Sequence, residues 1–134
     1  MANILVFDNY DSFTYNLVHY VRSVGGHKVD VYRNDEISLE DIERYDGIIL
    51  SPGPGIPCEA GLLLPLIRQY HKTKRIFGVC LGQQAIAEAF GGSLENLNTV
   101  FHGVATPIKI KTPSHYIFKN LPTNIEVGRY HSWI

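Results

Sequence analysis

At 134 residues, with 45% hydrophobic and 19% charged residues, the chain has the composition of one globular domain of ordinary size rather than of a long disordered segment. Twelve basic against thirteen acidic residues leave a formal charge of −1, which argues against a nucleic-acid surface or a polybasic membrane anchor. The chain runs directly into Ile4-Leu5-Val6-Phe7-Asp8 with neither a basic leader nor a long apolar stretch, so no signal peptide or membrane span is expected and the cytoplasm is the default compartment. No repeat, low-complexity tract or linker interrupts it, and residues 1–134 read as a single domain.

Ile4 to Asp8 reads as a first buried strand. Phe13, Leu17, Tyr20, Val21 and Val24 then mark the apolar face of an amphipathic helix, with Asp11 or Ser12 as its cap and Gly25-Gly26 as its end. Lys28 to Arg33 alternates as a second strand. Ser38-Leu39-Glu40-Asp41 has the form of a capping box for a short helix, and Gly47 to Leu50 is a third strand. Leu62 to Tyr70 is helical, with Pro65 tolerated in the first turn. Lys72-Thr73-Lys74-Arg75 reads as a solvated loop. Arg75 to Val79 has the apolar character of a strand buried on both faces of a parallel sheet, and Ala85, Ile86, Ala89 and Phe90 share one side of the next helix, which Gly91-Gly92 ends. Beyond Gly92 the pattern turns to strands, Gly103 to Lys111 and Ile125 to Tyr130, broken by Pro107, Pro113 and Pro122. Alternating strands and helices predict an α/β three-layer sandwich around a mostly parallel sheet, with ligands bound beyond the carboxyl ends of the strands.

Gly78-Val79-Cys80-Leu81-Gly82 sits between strand and helix, the context of a nucleophile elbow. Glycines on either side of Cys80 permit a tight bend, and the thiol falls at a helix N-terminus, where the dipole favours a thiolate. A buried structural thiol fits the same five residues, since free cysteine is among the most buried residue types. Cys58 and Cys80 together make neither a disulfide framework nor a metal knuckle, and no metal site is expected. Cys58 reads as an incidental small apolar residue. A second element separates the readings of Cys80. Ser51-Pro52-Gly53-Pro54-Gly55-Ile56-Pro57 is a stiff loop at the same edge of the predicted sheet, whose exposed N–H groups can complete an oxyanion hole with that of Leu81.

The segments SPGPGIP, GVCLGQQAI and DNYDSFTYN, with Phe101-His102-Gly103 and Arg129-Tyr130-His131-Ser132, together resemble class I glutamine amidotransferases, specifically the glutaminase component of anthranilate or aminodeoxychorismate synthases. The resemblance runs from Met1 to the chain end. It implies a flavodoxin-like fold, Cys80 as the nucleophile that forms a γ-glutamyl thioester, and an oxyanion hole from Gly55 and Leu81. It also implies glutamine binding by Gly53, Pro54, Gly55, Gln84, Ser132 and Trp133. Ammonia then passes to a chorismate-binding synthase partner. No cofactor is implied in this chain, and Mg is expected on that partner. The DNYDSFTYN turn is best read as capping its helix, and the resemblance implies that it lies near the partner, with Asn9 and Ser12 as contacts.

Two departures from the family pattern stand out. The F-H-P-E segment that carries the family's histidine base and its orienting glutamate lies beyond Ile134, so the fold is expected to be C-terminally incomplete, with apolar surface or a sheet edge uncovered. None of His19, His27, His71, His102, His115 and His131 is followed by Pro-Glu, and each reads as structural or exposed. Trp133 stands where the family carries a compact aliphatic residue, and its ring either shields the thioester or narrows the pocket. The leading expectation is an amidotransferase subunit for tryptophan biosynthesis, inactive as this chain alone. Alternatives are the same role in folate biosynthesis and a catalytically incomplete glutamine- and partner-binding module. A small cysteine α/β hydrolase or redox protein ranks lower because Leu81, not histidine, follows Cys80. A flavodoxin-like nucleotide binder ranks last because the first strand-helix turn lacks a phosphate loop.

Overall fold

A computed structural model describes residues 1–134 as two compact units, Met1–Leu94 and Glu95–Ile134. In the first, four parallel strands, β1 (Ala2–Asp8), β2 (His27–Arg33), β3 (Gly47–Leu50) and β4 (Arg75–Gly78), lie in the order β2-β1-β3-β4. Helices α1 (Thr14–Val24), α2 (Leu39–Ile42), α3 (Leu63–Tyr70) and α4 (Leu81–Ala89) alternate with them. The predicted α/β order and mostly parallel sheet are therefore present. Because β2 lies on one side of β1, and β3 and β4 on the other, the order in which strands are added reverses between β1 and β3, the place where such sheets open a crevice at their carboxyl ends.

Period-two alternation assigns the two faces of the sheet. Leu5, Phe7, Ile48 and Leu50 join Ile42, Leu63, Leu66, Ile67, Tyr70, Leu81 and Ala85 in the principal core. Val6 is buried on the opposite face, where α1 packs on β1 and β2, burying Thr14 and Val18. The register pairs Val6 with Ile49 and Ile49 with Phe77 across that face, and Phe77 is 57% exposed. β4 is thus an edge strand and is not buried on both faces as its composition predicts, because α1, which packs on that side, lies over β1 and β2. For the same reason the predicted apolar face of α1 is rotated: Leu17 and Val21 are half-buried, whereas Phe13, Tyr20 and Val24 are exposed.

Local signals set most boundaries. The Ser38 hydroxyl accepts the Asp41 N–H at 3.2 Å to start α2, and Gly25, at φ 80°, ends α1. Pro65 occupies the first turn of α3. The start of α1 is built differently from the expected Asp11 or Ser12 cap. Asp8 accepts from the N–H groups of Tyr10 and Asp11 and from the Thr14 hydroxyl, while Asp11 accepts from Phe13 N–H. Lys74 is not a solvated residue either: its ammonium donates to the carbonyls of Glu43 at 2.8 Å and Tyr45 at 2.7 Å, locking the turn before β4 to the end of α2. Phe90, expected on the buried side of α4, is exposed and packs edge-on against His71.

The second unit is an antiparallel ribbon of β5 (Asn96–Lys109) and β6 (Asn124–Trp133), with register shifts near Phe101 and at Gly103, where φ is 73°. Pro107 does not break β5 as its sequence suggests. It pairs with Glu126 inside the strand, since each strand of a two-stranded ribbon has one side that needs no N–H donor. No helix in either unit is long and apolar enough to cross a membrane.

Leu66 is fully buried in the core, so Leu66→Ala should cost about 2–5 kcal/mol in denaturant unfolding. Phe77→Ala on the open face should change stability by about 0.5 kcal/mol or less.

Candidate active site

The carboxyl ends of β1, β3 and β4 carry Asp8-Asn9, Ser51 and the Gly78–Gly82 turn. Cys80 is the N-cap of α4 and adopts φ 52°, ψ −106°, a region that L-residues rarely enter and that costs on the order of 1–3 kcal/mol. Its neighbours explain how the turn closes. A Cβ on Gly78 would lie 2.5 Å from the Gly82 carbonyl carbon, and one on Gly82 would lie 2.5 Å from the Leu50 carbonyl oxygen. Val79 N–H donates to Leu50 O at 3.0 Å, Gly82 N–H to Val79 O at 3.1 Å and Gln84 N–H to Cys80 O at 2.9 Å. Two close backbone approaches and a strained cysteine between them are the geometry of a nucleophile elbow.

Electrostatics at the thiol run against the expectation of a thiolate. Cys80 is partly buried, and its pKa is raised above the ordinary thiol value. Burial is the largest cause. The Leu81 N–H, directed at the sulfur, lowers it, and the Asp11 carboxylate raises it further. The start of α4 does supply a favourable donor, but desolvation and a nearby negative charge outweigh it.

The Pro-Gly loop abuts this turn. A Cβ on Gly53 would meet Asn9 O at 2.5 Å and Leu81 Cδ2 at 2.8 Å, so the loop, the end of β1 and the first residue of α4 touch. Pro54 and Gly55 are exposed. Gly55 has φ 71°, and the Glu59 carboxylate packs where its Cβ would be. Cys80, Leu81 and Gly53 are therefore brought together, with Pro54 and Gly55 continuing the loop and Gln84 one turn along α4, half-buried. Ser132 and Trp133 lie at the end of β6 in the ribbon unit. Cys58 is exposed in the short 3₁₀ turn Pro57–Glu59 that follows the loop.

The reading of Asn9 as a surface contact is corrected: it is 1% exposed and tied into a buried polar network. Its N–H donates to the Ser51 hydroxyl and its side-chain amide to the Ser51 carbonyl, both at 2.8 Å, while Asn34 Nδ2 donates to its Oδ1 at 3.1 Å. Asn9, Asn34 and Ser51 are the site residues that sequence reasoning misses as supports of the loop. The available signal was a polar Asp-Asn pair at the end of an apolar strand. Beside them, Asn9, Asn34, Pro54 and Gly61 help line a cavity of about 380 Å³, which also has Asp35 and Glu59 in its wall.

Among the histidines, His131 is the most engaged. Arg129 Nε donates to its Nε2 at 3.0 Å, which leaves Nδ1 to carry the proton and donate to Trp133 O at 3.1 Å. Its acceptor nitrogen thus faces a permanent cation. The other five histidines are exposed.

Substituting Gly82→Ala should displace α4 from Leu50 and slow Cys80 alkylation by iodoacetamide even where the fold survives. In the unaltered chain the alkylation rate should keep climbing through alkaline pH, because a raised pKa keeps the thiol protonated at neutrality. Asp11→Asn, by removing a charge that favours the neutral thiol, should speed the reaction near neutral pH. A rate that levels off below neutrality would contradict the raised pKa.

Residues 5–134 match the glutamine amidotransferase class-I family. Anthranilate synthase component 2 of Haemophilus influenzae is 47% identical over 98% of this chain and 69% of its own length, and that of Lactococcus lactis is 48% identical over 96% and 64%. The chain thus spans about two thirds of the length of these relatives. The solved structure of a glutamine amidotransferase from Thermotoga maritima, 18% identical, superimposes with a TM-score of 0.76 over 99% of this chain and 61% of that one, which shows the shared fold. The chain belongs to the class I glutamine amidotransferases.

Proposed function

We propose that this chain is the glutaminase part of an anthranilate synthase. The observation that carries the reading is the strained Cys80 between Gly78 and Gly82, with the Pro-Gly loop packed against Leu81 beside it. The Cys80 sulfur attacks the side-chain amide carbon of glutamine. The Gly55 and Leu81 N–H groups hold the oxyanion, the C–N bond breaks, and the thiol proton leaves with ammonia. Water then releases glutamate from the γ-glutamyl thioester. Gly53, Pro54, Gly55, Gln84, Ser132 and Trp133 are the proposed glutamine-binding positions. Ammonia passes to a synthase partner that aminates chorismate, with any magnesium chemistry on that partner, in the cytoplasm, where Cys80 stays reduced. Support for the partner comes from the names of the relatives at 47–48% identity.

A second reading, a module that binds glutamine and partner with little turnover of its own, is favoured by two observations. The Cys80 pKa is raised, and the acceptor nitrogen of His131 is occupied by Arg129. General base catalysis contributes ~10²–10⁴-fold, so these 134 residues alone should show little steady glutaminase activity although Cys80 is alkylated. Robust turnover of glutamine by the purified chain would refute that. Mixed with a chorismate-using synthase, the chain should be assayed for product formed from glutamine and from ammonia. Glutamine-dependent anthranilate lost in Cys80→Ala supports the first reading. Aminodeoxychorismate as the product would assign the folate branch, and ammonia-only product would leave the binding module.

A further inference from the structure

Asn9 has more engagements than a turn requires. Its backbone N–H donates to Ser51 Oγ at 2.8 Å, its Nδ2 donates to Ser51 O at 2.8 Å, and its Oδ1 accepts from Asn34 Nδ2 at 3.1 Å. The Ser51 hydroxyl in turn donates to Pro52 O at 2.7 Å. Asn9 thereby holds the Ser51 carbonyl directly and the Pro52 carbonyl through the Ser51 hydroxyl, so two successive peptide planes at the root of the Pro-Gly loop are oriented toward β1. Peptide groups are planar, and no bond in the chain is cis, so the N–H of Gly53 points opposite to the Pro52 carbonyl and away from that clamp. The Asn9 backbone also blocks the loop physically, since Gly53 rests against Asn9 O and Cβ on one side and Leu81 Cδ2 on the other.

The clamp is buried and anchored. Asn9 is 1% exposed, Ser51 fully buried and Asn34 6% exposed. Asn34 is held in its own place by two backbone bonds, its N–H donating to Asp8 O at 2.9 Å and its carbonyl accepting from Leu62 N–H at 3.0 Å. Hydrogen bonds in buried surroundings are electrostatically stronger than those at the surface and hold orientation more tightly.

We propose that Asn9 is a positioning residue for the reaction: through Ser51 it sets the orientation of the Pro52–Gly55 backbone against the Cys80-Leu81 turn, and so determines how well a developing oxyanion is held. This rests on the glutaminase reading above. Its hydrogen bonds run to Ser51 and Asn34, so it acts through the loop. Its loss leaves the thiol, the helix start and the Leu81 N–H in place and releases the loop that faces them. Misplacement of a catalytic group by about 1 Å costs up to about a hundredfold in rate, so the effect should be large.

Two reagents separate positioning from structure in the full 134-residue chain. Iodoacetamide reacts with the Cys80 thiol by displacement at a saturated carbon and builds no oxyanion. A glutamine-shaped chloroketone passes through a carbonyl adduct that needs the hole. In Asn9→Ala the limiting rate of Cys80 labelling by the chloroketone should fall about tenfold to a hundredfold with little change in the half-saturating concentration, while the rate of Cys80 labelling by iodoacetamide stays within about twofold. Asn9→Asp keeps the side-chain shape and the acceptor for Asn34 but loses the donor to Ser51 O. It should show the same split, and it serves if Asn9→Ala does not fold. Equal losses with both reagents, or an unchanged chloroketone rate, would overturn the proposal. Absence of saturable, glutamine-protected labelling of Cys80 by the chloroketone in the unaltered chain would instead remove the glutaminase reading, and this inference with it.

Discussion

Gly82 lies against the Leu50 backbone, and Gly78 against the backbone of Gly82, at separations that leave no room for a Cβ on either glycine. From that constraint the rest of the site follows. Only with α4 drawn so close to β3 does the chain turn sharply enough after β4 to force Cys80 into positive φ and lift its side chain above the strand ends. The strain at Cys80 is offset by the core behind it, where Leu81 and Ala85 on α4 join Leu50, Leu63 and Leu66 in one buried cluster. Gly53 repeats the device from the side, admitting the Pro-Gly loop to contact with Asn9 and Leu81. Three missing side chains thus bring together three strand ends.

Polar groups complete what close packing begins. Asp8, Asn9, Thr14, Asn34 and Ser51 are all buried at this edge, where an unpaired polar atom costs about 1–3 kcal/mol. The bonds among them satisfy these groups and give the edge a single arrangement. At the thiol, partial burial has a different consequence. Burial raises its pKa, and the Leu81 N–H opposes this without reversing it. A helix start is therefore insufficient on its own to make a thiolate here.

Much of this was legible in the order of residues. Glycines flanking Cys80 after an apolar run identified the elbow, and the alternation of strands and helices identified the parallel sheet. Ser38, Gly25 and Pro65 act where local chemistry says they should. Such features are short-range, decided by neighbours a few residues away. The failures share the opposite property. Phe77 and the face of α1 depart from what periodicity predicts because exposure depends on how far one helix extends across four strands. Lys74 departs from a solvated loop because its acceptors, the carbonyls of Glu43 and Tyr45, lie about thirty residues away.

By itself, then, the sequence determined the class of fold, the elbow and the family, because each is written in local spacing and in which residues lack a Cβ. Tertiary structure alone decided that Asn9 is a buried clamp, that Asp11 acts on Cys80, and that the thiol is harder to ionise than its place at a helix start implies. Those outcomes depend on desolvation and on partners 25 or more residues apart, such as Asn9 with Asn34 and Ser51, and neither is encoded at any single position.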